Sequence, residues 1–396
     1  MQAPTAGRFP YAETLATYRA SGKHFVARNV TARLDGLRDN WQRIEGAEVD
    51  RRRLDDFLFV ALDKVDGRYD YASYCALPVL GLDRMTAPGL TRREVLCQRD
   101  AAQLALLGDL AGFELDALEG TAEILPEKRP APDLARRRLR LVLAALRPTL
   151  ERESIVLRNA GPEGDARSVA DHARARVSKA WRHRLDASMI PVHVVHDEYL
   201  FLRVLQSFEV TFAWIATVLQ EAVSALPTAP ARAVERLKLA NVLLREALRL
   251  FPLIGSLQPA AFHDFRRFTE GASAIQSTGY KRVEALCSAP GAERLNSVAY
   301  RSVPQVQEEV RAGVPSLSAA LETLRDDRAS EPDDLALLDA EMTEFARQLG
   351  RWRQAHFELA RRYLGERGGT GYTEGVPYLA ETRQIPVFRS SPPGSS

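Results

Sequence analysis

An all-α fold is predicted for this 396-residue chain by two features of its pattern. Apolar residues recur every three or four positions over most of its length, and strictly alternating runs are scarce. VHVV (192–195) and IPVF (385–388) are the only strand candidates. The composition agrees with a globular chain: 45% hydrophobic residues supply one large core or two domains, and a net charge of +2 argues for no strongly charged partner.

Taken in order, residues 91–121 read as a helix opened by a capping box at Thr91, where TRRE places Glu94 three positions on. ILPEKRPAPD breaks the pattern, and a basic helix follows from Leu134 to about Arg147. GPEGDARS (161–168) reads as a loop opening a further basic helix through Ala180. Residues 196–226 are apolar nearly all round, which marks a helix buried on several sides. After PTAPA, a helix is expected from Ala233 to Phe251, shorter ones over 260–268, 273–287 and 303–325, and a long one over 333–365. SSPPGSS at the end should be disordered.

Three cysteines, Cys75, Cys97 and Cys287, form no CxxC pair and no disulfide framework, which suits a reducing cytoplasm. No signal peptide is apparent in MQAPTAGRFPYAET, and TFAWIATVL is too short to span a bilayer. A soluble, cytoplasmic protein without a membrane partner is the expectation. The segment 133–186 carries 13 basic against 7 acidic residues, yet only Trp181 interleaves an aromatic. A solvated face or subunit contact is therefore expected there, not a nucleic-acid surface.

Three features point to chemistry. In RWRQAHFELARRYLG (351–365), Trp352, His356, Leu359 and Tyr363 share one helical face. An imidazole on that face is either a core histidine satisfied by a carbonyl or carboxylate, or a metal or haem ligand. The glycine- and threonine-rich GERGGTGYTEG that follows lacks the Lys-Ser/Thr pair of a P-loop. It is either a plain helix end or a cradle of N–H and hydroxyl groups for a polar ligand. Arg266, between Phe262 and Phe265 on one side and ASAIQS on the other, suits a bidentate grip on the carboxylate of an amphipathic ligand, or a core ion pair.

In chain order, HDE-x-LF (196–201), DFR-x(5)-AS-x-x-QS (264–277), WR-x-x-H (352–356) and GTG-x(3)-G-x-x-YL (369–379) resemble the tryptophan 2,3-dioxygenase family. DYASYCALPVL (70–80) resembles that family's N-terminal tyrosine motif. The resemblance implies a helical bundle housing a b-type haem, with His356 as the proximal iron ligand and Trp352 and Ser273 beside the cofactor. It implies that Arg266 holds the substrate carboxylate, that Thr370 holds the ammonium, and that Phe201 and Phe262 sandwich the ring. Tyr71 and Tyr74 match tyrosines that reach a neighbouring subunit's site, which implies a homo-oligomer, dimer or tetramer. His196, Asp197 and Glu198 are expected to serve the helix N-terminus.

Three departures from the family pattern matter. Leu205 replaces the distal histidine, and leucine can neither accept an indole N–H nor donate to dioxygen. One such lost bond is worth about 1–3 kcal/mol. Ala274 replaces a glycine at the pocket ceiling, with Ile275 after it. An added basic helical segment, 91–187, separates an N-terminal arm (1–90) from the dioxygenase-like core (188–388), leaving 389–396 as the tail. The resemblance implies an oxygenase using dioxygen on an aromatic L-amino acid. The expected reaction is cleavage of the indole C2–C3 bond of tryptophan to N-formylkynurenine. The alternative is monooxygenation of tryptophan, tyrosine or a derivative.

Overall fold

The computed structural model describes residues 5–326, 332–365, 368–369 and 375–389. The fold is all-α. The principal helices in chain order are α1 (Glu48–Ala61), α2 (Tyr71–Tyr74), α3 (Arg92–Glu119), α4 (Pro132–Arg152), α5 (Gly161–Arg176), α6 (His196–Ala225), α7 (Pro230–Ala247), α8 (Pro259–Arg266), α9 (Thr278–Cys287), α10 (Pro332–Leu364) and α11 (Val376–Arg383). Neither strand candidate forms a strand. Val195 makes only an isolated bridge to Glu127, and 385–388 is irregular. Apart from Arg389, the tail lies outside the described residues.

Local sequence explains most boundaries. The capping box at α3 is formed as expected: the Thr91 amide donates to Glu94 at 2.7 Å, and the Glu94 amide donates back to the Thr91 hydroxyl at 3.3 Å. Helix α4 runs through Pro148 to Arg152, beyond the expected end, because a proline removes one amide without forbidding continuation. The stretch read as a loop at 161–168 is instead the start of α5, with Pro162 in the first turn where its missing N–H costs nothing. That helix stops at Arg176. Ser178 then caps a separate helix, Lys179–Ala187, by accepting from the Trp181 amide at 3.2 Å. The helix expected over 303–325 is two, Pro304–Arg311 and Leu317–Asp326, parted at Gly313 with φ +79°.

Two compact units interleave along the chain. The first comprises Met1–Leu82, Ala101–Ser207 and Pro252–Ala272. Its arm packs Leu15, Tyr18, Leu54, Phe57, Leu58 and Ile190 into one cluster. Buried Arg138 of α4 donates to Glu114 of α3 at 3.1 Å, to Asp197 of α6 at 2.8 Å and to the Ser256 carbonyl at 3.1 Å. Arg203 of α6, also buried, donates to Asp109 at 2.7 Å and to the Leu185 carbonyl at 2.8 Å. Two arginines thus tie the segment 91–187 to the start of α6, and Asp197 takes a structural role. Elsewhere in that segment, Arg136 pairs with Glu163, Arg167 with Glu119 and Arg176 with Glu153, so part of its basic face is spent on ion pairs within the chain.

The second unit comprises Asp83–Asp100, Phe208–Phe251 and Ser273–Ser396. Helix α10 packs along α7, where Asn241 donates to the Glu341 carboxylate at 2.8 Å. Helix α9 approaches α6 closely at Gly279, where a Cβ would come within 3.2 Å of Phe212. The composition of α6 would allow a membrane span, but 83% of its apolar window is buried within the chain, as befits a core helix.

Candidate functional site

The residues singled out by the sequence motifs fall into two groups, one in each unit. In the first, α6 is buried from Tyr199 to Val210 except at Phe201 and Leu205. These lie four residues apart and therefore share a face, so the helix keeps one strip partly open. Phe201 packs against Phe262 (5.8 Å between ring centroids) and Phe265 (5.3 Å) of α8, and against Tyr74 of α2 (6.2 Å). Phe201 and Phe262, expected to flank a substrate ring, are here in edge contact with each other. Tyr71 and Tyr74 are both buried, so Tyr74 reaches Phe201 within a single chain.

Local bonds fix this arrangement. Asp70 caps α2 by accepting from the Ser73 amide at 2.8 Å. Gln206, next to Leu205, donates to the Cys75 carbonyl at 3.1 Å and so ties the tyrosine helix to α6. Glu198 accepts the amides of Val192 (2.7 Å) and His193 (2.9 Å), organising the turn before α6. Half-buried Arg266 ends α8. Its carbonyl accepts the amide (3.2 Å) and hydroxyl (2.8 Å) of Thr269.

In the second unit, His356 is half-buried on α10, with its ring 5.2 Å from Trp352. Trp352 is enclosed by Phe208, Phe212, Phe251 and Tyr280, and the Tyr280 ring stacks on it at 4.9 Å. Neighbouring Arg353 is buried as well. It bonds the Tyr280 hydroxyl at 3.0 Å, the Ile385 carbonyl at 2.6 Å and Glu284 at 2.8 Å. Glu284 also receives Lys281 (2.7 Å) and Arg294 (3.0 Å). Burial opposes its ionisation, but the three cations prevail and hold its pKa down to about 2. Sequence reading missed this network, whose members lie 69 residues apart on α9 and α10.

Burial alone pushes the His356 pKa down to about 4, so the imidazole is neutral across the physiological range. It makes no hydrogen bond among the described residues. The satisfied-core reading of this histidine is therefore not supported. Nor does any cluster of three or more His, Cys, Asp or Glu side chains suited to a metal occur among the described residues. One neutral imidazole with an unused lone pair fits an iron that brings its own four equatorial nitrogens, as haem does.

Ser273 and Gln276 form a reciprocal capping box around Ala274–Gln276, with the Ser273 amide donating to Gln276 at 3.1 Å. Ser277 caps α9 by accepting from the Tyr280 amide at 3.2 Å. The serines and glutamine of AS-x-x-QS thus have helix-capping duties, and Ala274 is partly exposed beside them. Thr370 lies outside the described residues.

The fold and these side chains define a helical protein with, in one unit, a neutral histidine that has no hydrogen-bond partner among the described residues and, in the other, an arginine ending the helix that carries Phe262 and Phe265. Comparison with known proteins finds similarity to tryptophan 2,3-dioxygenases. That of Anaeromyxobacter sp. (strain K) is 25% identical over 223 residues, covering 49% of this chain and 84% of the relative. That of Burkholderia orbicola (strain MC0-3) is 25% identical over 270 residues, 57% and 86% respectively. That of Anaeromyxobacter dehalogenans (strain 2CP-C) is 26% identical over 234 residues, 51% and 88%. No protein-family model matches the chain.

Proposed function

We propose that this protein is a divergent member of the tryptophan 2,3-dioxygenase family, a haem-dependent oxygenase of an aromatic L-amino acid. Its principal reaction would be addition of dioxygen across the indole C2–C3 bond of tryptophan to give N-formylkynurenine. The carrying observation is His356, neutral and without a hydrogen-bond partner among the described residues, in the WR-x-x-H motif. Haem bound there would supply the iron that activates dioxygen.

In this reading the chain's own residues bind and orient. His356 would ligate the haem iron, and Trp352 and Ser273 would stand beside the cofactor. Arg266 forks onto the substrate carboxylate, a bidentate charge-assisted contact that also fixes direction. Thr370 takes the ammonium. Phe201 and Phe262 hold the ring with Tyr71 and Tyr74, and Ala274 shapes the ceiling. Leu205 lines the oxygen side as an apolar wall and moves no proton. Similarity to the relatives supports a small amino acid and dioxygen as reactants. Three cysteines that form no disulfide among the described residues favour a cytoplasmic setting. Assembly into a dimer or tetramer follows from the resemblance alone.

Leu205 favours a second reading, in which one atom of dioxygen enters tryptophan, tyrosine or a derivative and the other leaves as water, with two electrons supplied by an external reductant. With no hydrogen-bonding group at that position, ring orientation rests on packing and on the amino-acid clamp. The test of the shared premise is haem titration of the wild type and His356→Ala. The wild type should give a Soret band at one haem per chain, and the variant should lose it. A variant that binds haem normally and turns over tryptophan would overturn the assignment.

A further inference from the structure

The turn after α8 in the first unit has features that a plain helix end does not require. Glu270, directly after the closed Arg266–Thr269 turn, adopts φ +52°. Side chains resist this left-handed conformation, and it persists where surroundings enforce it. The enforcing contacts come from the N-terminal arm. Lys64 Nζ lies 3.8 Å from the Glu270 carboxylate, and His24 Nδ1 lies 3.4 Å from it. Lys64 also donates to the Phe268 carbonyl at 2.9 Å, and its ammonium sits 4.2 Å from the Tyr69 ring centre. The Phe268 ring is held by His24 (4.8 Å), Phe25 (4.8 Å) and His193 (5.2 Å, stacked). None of these arm residues belongs to the motifs that carry the family resemblance.

We propose that Lys64 and Glu270 form a latch that positions Arg266 for the substrate carboxylate, an inference resting on the role of Arg266 given above. A helix's last turn frays unless its end is tied, and the direction of a terminal side chain follows its backbone. Bidentate recognition tolerates little displacement, so a loosened turn weakens the carboxylate contact without touching the ring pocket. Lys64 and Glu270 are therefore positioning residues. They act through the turn and touch no substrate.

The test uses the full-length, haem-loaded protein and two variants. Lys64→Met removes the cation. Glu270→Gly removes the carboxylate, and glycine accepts φ +52° without strain, so the fold should survive. Each is titrated with L-tryptophan and with tryptamine, which keeps the ring and lacks the carboxylate, and in parallel with L-tyrosine and tyramine. Both variants should bind the amino acid about tenfold more weakly or worse, with amine binding and the Soret band unchanged. Lys64→Arg should recover most of the loss. Unchanged amino-acid binding in both variants overturns the latch, as does an equal loss of amine binding. Arg266→Leu separates the two levels. If it erases the preference for amino acid over amine while the latch variants do not, only the latch fails. If it leaves that preference intact, the carboxylate role of Arg266 fails and the latch with it.

Discussion

His356 is defined as much by what it lacks as by where it lies. Burial holds its pKa near 4, and no carboxylate or carbonyl claims its nitrogens among the described residues. The proposed iron would take the neutral imidazole, so haem retention should stay flat from pH 8 to about 5 and fall as pH drops through about 4. The Soret band followed beside far-UV circular dichroism checks this. A decline that begins near pH 6.5, before unfolding, would mean an ordinary exposed histidine. At the distal position, Leu205→His should restore a hydrogen-bonding group and tighten L-tryptophan binding by about 1–3 kcal/mol, read by the same titration. At this scale the sequence was informative where spacing alone assigns a face, as for His356 with Trp352. It was silent on Arg353 and Glu284, because their pairing depends on two helices meeting 69 residues apart, which no local pattern encodes. Ser273 illustrates the opposite case: a residue singled out by a motif whose side chain also has a plain capping task.

Among the helices, caps and periodicity were legible, and the α3 capping box and the span of α6 came out as the residues imply. Three boundaries were misread for one reason: proline and glycine punctuate a chain differently according to position. Pro148 sits inside α4, Pro162 starts α5, and Gly313 divides a pattern that looked continuous. The α3–α4–α6 junction gives the sharpest test at this scale. Arg138 is fully buried between Glu114 and Asp197, so Arg138→Leu strands two buried carboxylates. The expected cost is about 3–5 kcal/mol in chemical denaturation, whereas Thr91→Ala at the exposed α3 cap should cost about 1 kcal/mol. A loss at Arg138 no larger than that at Thr91 would contradict the junction described here.

At the scale of the whole molecule, acid stability should follow the Glu284 cluster. Its folded pKa of about 2 lies below the unfolded value of 4.5, so its contribution is complete above pH 4.5 and is lost as pH falls toward 2. Melting temperature against pH should drop in that window, and Glu284→Gln should flatten the drop while lowering stability at pH 7. The all-α class was legible throughout the chain, and the interleaving of two units was not, since α3 and α6 each run through both without a break in pattern. The functional account comes down to an oxygenase reaction on an aromatic amino acid at haem held by His356. The reduced, haem-loaded protein should be given L-tryptophan under isotopically labelled dioxygen and the products weighed by mass spectrometry. The account predicts ring-opened tryptophan carrying both labelled atoms, and a single labelled atom would move the assignment to the monooxygenase reading. No labelled product from tryptophan, tyrosine or their methylated forms, with haem bound and reduced, would contradict it.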